Sequence, residues 1–177
     1  MKSAFVTLLA PLFALLSGCA ASTKEIPAVG NFDVPRYMGK WYEIARLPQS
    51  FERDLDYVTA NYTLREDGRV HVLNQGKRSG KPGRAEGVAK LKHPDARPVT
   101  GELRVSFFGP FYGDYKIIEL PEDYRYAVVT SGTKEYLWIL SRSPQMPREQ
   151  LAEITARLKA LGFATEKLEY PKQELPE

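Results

Sequence analysis

The chain has 177 residues, of which 43% are hydrophobic and 27% charged, with a formal net charge of +3. This length suits one domain built on a single core or a closed barrel, and so small a charge, spread along the whole chain, argues against a nucleic-acid partner. The only cysteine is Cys19, which rules out an internal disulfide, and His71 and His93 are the only histidines, so no zinc cluster or cysteine–histidine nucleophile is expected.

At the start, Lys2 precedes an apolar run over residues 5–16 broken only by Thr7 and Pro11. The run is too short to span a bilayer comfortably and predicts a signal peptide over residues 1–18. Its end, Leu16-Ser17-Gly18-Cys19, resembles the lipobox at which bacterial signal peptidase cuts before a cysteine that carries a diacylglyceryl group and a third acyl chain. One acyl chain anchors only marginally, at ~0.8 kcal/mol per buried CH₂, whereas two or more hold a protein on a membrane stably. Ala20 stands where sorted lipoproteins retained at the inner membrane carry aspartate, so the resemblance implies the outer membrane, and the periplasmic face is the expected side. Residues 19–31 are expected to form the lipidated N-terminus and a polar tether, and residues 32–177 the folded domain.

Beyond Gly39 the chain breaks into short alternating segments, a spacing that favours an all-β barrel or sandwich. Residues 41–46 form the first. Val58, Ala60, Tyr62 and Leu64 then alternate with polar residues, Asp67-Gly68 turns the chain, and Val70, Val72 and Asn74 continue the same face. In residues 84–92 the inner face is small, with Ala85, Gly87, Ala89 and Leu91; Leu103, Val105 and Phe107 follow in a fifth strand, which Gly109-Pro110 breaks. Residues 115–120, 124–130 and 134–141 bring the count to eight. The last is apolar on both faces, with Tyr136, Trp138 and Leu140 alternating with Leu137 and Ile139, so something must cover its outside. The candidate is a helix over residues 148–161, where Leu151, Ile154, Leu158 and Leu161 keep helical spacing between Pro147 and Gly162.

The chain resembles the lipocalins, and within them the bacterial outer-membrane lipocalins related to apolipoprotein D. Gly39-Lys40-Trp41 matches the family's glycine-any-tryptophan motif, and Arg142 its arginine at the end of the last strand. Glu122-Asp123-Tyr124 falls at the second motif and departs from the usual threonine-aspartate-tyrosine. The resemblance implies an eight-stranded antiparallel up-and-down barrel with one C-terminal helix outside. In such a barrel Trp41 and Arg142 lie at the same end, and a guanidinium stacked on the indole would close the floor at a gain of about 0.5–2 kcal/mol. Ligand would enter at the opposite end, among the loops near residues 48–56, 76–83, 109–113 and 131–133.

By parity the inner wall comprises Ala60, Tyr62, Val72, Asn74, Ala85, Gly87, Ala89, Leu103, Val105, Phe107, Ile118, Val129, Tyr136 and Trp138. In the sixth and seventh strands the alternation is less clear, so Ile118 and Val129 are compatible with either face. Small closed barrels are either filled by side chains or hold one small ligand, and Ala45, Ala60, Ala85, Gly87 and Ala89 on inner faces favour a ligand. Glu43 shares parity with Trp41 and needs a partner or a proton. Lys116 is either a surface lysine or an inward group for a lipid head. Phe108, Phe111 and Tyr112 are expected in a loop at the open end, where they would cap ligand, touch a membrane, pack in a homodimer or fold back on the barrel.

The expected function is binding of a fatty acid or lysophospholipid, without cofactor and without catalysis, for lipid storage, transport or membrane maintenance. The alternatives are a filled barrel serving as a structural or interaction module, and a lipocalin-type enzyme, for which Glu43 with Tyr62 or Tyr136 would have to act as the acid–base pair.

Overall fold

In the computed structural model, which describes residues 21–173, eight strands follow in chain order and close on themselves. They are β1 (Gly39–Arg46), β2 (Leu55–Leu64), β3 (Val70–Arg78), β4 (Lys81–Leu91), β5 (Glu102–Phe108), β6 (Phe111–Glu119), β7 (Tyr126–Thr130) and β8 (Leu137–Ser141). All pairs are antiparallel, and β1 closes the barrel on β8 with Tyr42 opposite Ser141 and Arg46 opposite Trp138. Cys19 and the expected signal segment lie outside the described residues.

Among the described residues two α-helices accompany the barrel, α1 (Val34–Tyr37) and α2 (Arg148–Ala160). Asp33 caps α1, its carboxylate accepting from the Arg36 amide, and Pro35 supplies a φ already suited to a helix start. This short helix delivers Tyr37 under the barrel against Trp41, with ring centroids 4.8 Å apart. α2 lies outside, burying Ile154 and Leu158 against Ile44, Val128, Leu137 and Ile139. Each such side chain contributes roughly 1.5–3 kcal/mol. Leu161, expected in the same stripe, is exposed because the helix has already ended. Gly162, with φ of 83°, takes the left-handed turn; its amide donates to the Lys159 carbonyl and that of Phe163 to Leu158, which satisfies the last carbonyls.

Residues 21–31, the described part of the expected polar tether, run along the barrel. Ser22 bridges to Thr133, Thr23 and Ile26 are buried, and the Val29 amide donates to the Ile117 carbonyl before Phe32 reaches the closed end. The C-terminal segment does a related job on the other side. Past Tyr42 the strands β1 and β2 separate, and residues 169–173 fill the gap. Glu169 pairs with Arg46, the Lys172 carbonyl accepts from the Tyr57 amide, and the Gln173 amide nitrogen donates to the carbonyls of both Glu43 and Val58.

Strand bounds differ most at the open end. β5 and β6 continue to a two-residue turn at Gly109-Pro110, so Phe108 and Phe111 pair as strand residues and are not in a loop. β3 and β4 form a long ribbon turned by Ser79 and Gly80, both at positive φ as a tight hairpin turn requires.

Candidate functional site

The interior has two unlike halves. At the closed end Arg142 lies 3.8 Å over the Trp41 ring and donates to the carbonyls of Lys40 and Arg36, fixing the chain on either side of Gly39. Above this floor Tyr37, Tyr62 and Tyr115 are linked by their hydroxyls, Tyr37 to Tyr115 at 2.8 Å and Tyr62 to Tyr115 at 3.0 Å. Burial raises all three pKa values, that of Tyr62 to about 12, so the hydroxyls stay neutral. Val72, Ala89, Leu103 and Val129 pack into the same buried cluster. These inward residues form a filled base.

Toward the mouth the inward side chains are only half-buried. Ala60, Asn74, Val105, Phe107, Tyr136 and Trp138 all belong to this zone, and the Tyr136 and Trp138 rings stack at 6.1 Å. The Asn74 side-chain oxygen is buried with no hydrogen-bond partner among the described residues. Gly87 opens no space, because a Cβ there would sit 2.6 Å from the Ser106 carbonyl and 2.9 Å from the Phe107 ring; the ring occupies the room that the missing side chain leaves. Ala85 lies where β4 has run past its last pair with β5, so it is exposed at the rim and is not part of an enclosed wall.

Ala45, expected inward, points elsewhere, and Ile118 and Lys116, left open between two faces, both take the outer one. A bulge between Glu43 and Ala45 reverses the parity of β1, so Ala45 faces out with Ile139 and Arg46 turns in beside Trp138. Ile118 packs outside with the α2 cluster; pairing of Leu103 with Tyr115 and of Val129 with Ile117 makes Tyr115 and Ile117 the inward residues of β6. Lys116 also faces out, its ammonium donating to the Thr23 carbonyl.

The bulge creates a charged feature in the wall. Arg46, 3% exposed, donates to Glu43 Oε1 at 2.8 Å, to Glu169 Oε2 at 3.0 Å and to the Leu55 carbonyl. Glu52 accepts from the Trp138 indole N–H at 3.0 Å. Burial, and then the neighbouring Glu52, push the Glu43 pKa up to about 8, with the Arg46 bond offsetting part of the rise. Burial raises that of Glu52 as well. Alternation alone marks Glu43; Arg46, Glu52, Glu169, Tyr37 and Tyr115 escape it, because a bulge, a 3-10 turn, a tail, a helix and a hairpin register deliver them.

A closed eight-stranded antiparallel barrel, a tryptophan–arginine floor and one flanking helix define a lipocalin. Residues 32–173 match the model of the lipocalin-like domain, and the chain belongs to this family. It is 44% identical over 163 residues to the outer membrane lipoprotein Blc of Vibrio cholerae, covering 90% of this chain and 94% of that one. The Escherichia coli K12 protein of the same name is 41% identical over 161 residues, covering 90% of each chain. Bovine apolipoprotein D is 35% identical over 179 residues, covering 92% of each. Among solved structures, insecticyanin from the tobacco hornworm Manduca sexta superposes with a TM-score of 0.67 at 20% identity, over 84% of this chain and 85% of that one, a likeness of fold. With relatives of this name along most of its length, the chain is a bacterial outer-membrane lipoprotein of the lipocalin family.

Proposed function

We propose that the chain binds one fatty acid or lysophospholipid in the mouth half of the barrel and serves lipid storage, transport or membrane maintenance, without chemistry. Acylated Cys19 would hold it on the periplasmic face of the outer membrane. The observation that carries this reading is the contrast within the lumen between a sealed base of linked tyrosines and half-buried walls of Ala60, Val105, Phe107 and Trp138 above it. An acyl chain entering tail first meets the apolar side chains of Ala60, Val105, Phe107 and Trp138 above that base, while its head stays at the rim. Burying about fourteen methylenes at ~0.8 kcal/mol each gives roughly 11 kcal/mol gross, of which ordering the chain consumes several. Micromolar affinity, about −8 kcal/mol, is the expected result.

Native mass spectrometry of soluble protein beginning at residue 20, before and after delipidation, tests the reading. A co-purified acyl ligand that is lost on delipidation and restored by added fatty acid supports it. A chain that carries no ligand and takes up none would make the barrel an interaction module.

A further inference from the structure

We propose that the open rim of the barrel is a bilayer-docking surface, held face-down on a phospholipid membrane by the acyl chains on Cys19. The proposal rests on the acylation reading above and adds an orientation to it.

The point where the N-terminal segment meets the barrel sets that orientation. The Ala21 carbonyl accepts from the Lys134 amide at 2.8 Å and the Thr23 amide donates to the Gly132 carbonyl at 3.2 Å, so the segment starts at the β7–β8 loop. That loop belongs to the open end, as do the β3–β4 and β5–β6 turns. The described chain therefore begins at the open end, two residues after Cys19 in the sequence.

The same end carries the apolar surface that a bilayer would cover. Phe108 and Phe111, paired across the β5–β6 turn, are 83% and 79% exposed, and Phe51 is 58% exposed on the β1–β2 loop. A Cβ on Gly132 would lie 3.2 Å from the Asp114 carboxylate, which puts the start of the described chain beside β6, three residues from Phe111. Leu161 and Tyr170 also lie toward this end, Leu161 next to Gly162 by Lys134 and Tyr170 beside the Arg46–Glu169 bridge; of the exposed large apolar residues among those described, Leu64 alone is at the closed end. Charge agrees with the same partner. The β3–β4 ribbon carries Lys77, Arg78, Lys81 and Arg84 with no acidic residue between positions 76 and 84, and Arg78 ties it to Phe51 by donating to that carbonyl. Aromatic tips beside a basic ribbon suit the interface and headgroups of an anionic phospholipid surface. With the mouth on the membrane, a lipid could pass between bilayer and barrel without crossing water.

The test uses the full-length chain expressed in bacteria and reconstituted in phosphatidylethanolamine–phosphatidylglycerol vesicles. With Cys19 acylated, Phe108→Cys and Glu66→Cys each offer a single thiol for an environment-sensitive fluorophore, one at the rim and one on the Asp67-Gly68 turn of the closed end. The expected result is blue-shifted emission at position 108, quenched at least twofold by lipids brominated in the acyl chain, and water-like, unquenched emission at position 66. Serine at Phe51 and Phe111 should reduce the quenching at position 108. Water-like emission at both positions, or burial at 66 alone, would overturn the docking. So would a blue shift at 108 that is present without vesicles and grows with protein concentration, since a second copy would then cover the rim. Intact mass reads acylation separately: a chain with no acyl mass on Cys19 removes the anchor, whereas an acylated chain with a water-like label at 108 defeats the orientation only.

Discussion

Glu43 and Arg46 are the most consequential pair in the wall, because each is nearly solvent-free and each is the other's partner at 2.8 Å. The Glu43 pKa stands at about 8 in the fold against 4.5 for the free group, so between those values the folded chain keeps a proton that the unfolded chain releases. Stability therefore falls as pH rises through that window. Glu43→Gln retains an oxygen for Arg46 and has no proton to lose. Its unfolding free energy should decline less than that of the wild type between pH 5 and pH 8 in urea titrations; equal declines would show that Glu43 is ionised throughout. At the floor, Arg142 combines stacking on Trp41 with bonds to two carbonyls. Stacking is worth about 0.5–2 kcal/mol and a hydrogen bond from a charged donor about 1.5–3, partly replaced by water at a half-exposed site. Arg142→Ala should lower stability by about 2–4 kcal/mol, read as a lower urea midpoint at unchanged slope, and Arg142→Lys should recover less than half.

At the scale of elements, most of the fold is legible in the sequence. Alternation finds eight strands, and the doubly apolar face of β8 demands a helix outside it, which α2 supplies between Pro147 and Gly162. What alternation misses has a common cause, since an irregularity shifts parity or chain path without leaving an apolar pattern. One extra residue in β1 moves Ala45 out and Arg46 in, and a register shift between Val105 and Phe108 in the β5–β6 pairing places Tyr115 inside and Ile118 outside. The Trp41–Arg142 floor is legible for the opposite reason: topology alone brings the start of β1 and the end of β8 together. The seam between β1 and β2 is invisible in sequence, because residues 169–173 show no apolar period. Gln173 bridges both strands through one amide nitrogen. Gln173→Ala should cost about 1–2 kcal/mol and speed hydrogen exchange at the Tyr57 amide, which bonds to the Lys172 carbonyl, while leaving exchange at the β3–β4 pairs unchanged.

The whole molecule is a vessel filled at its base and open at its rim, and alanines at two depths separate filling from binding. Ala89 is 6% exposed and sits in the buried cluster, opposite Val70 on one side and Val105 on the other. A tryptophan there has no room; it overpacks the base at a cost of about 1–3 kcal/mol or more and reaches the ligand only through distortion. Ala60 is half-buried, next to Trp41 and Asn74, at the boundary between the filled base and the open zone. A tryptophan at that position extends into the space assigned to the acyl chain and displaces little protein. Ala60→Trp should therefore weaken fatty-acid binding at least tenfold with a melting temperature close to that of the wild type, whereas Ala89→Trp should lower the melting temperature first. Fluorescent fatty-acid titration and thermal unfolding of both variants give the two readings. Wild-type affinity in a folded Ala60→Trp variant would place the ligand outside the barrel and remove the reason for its open half.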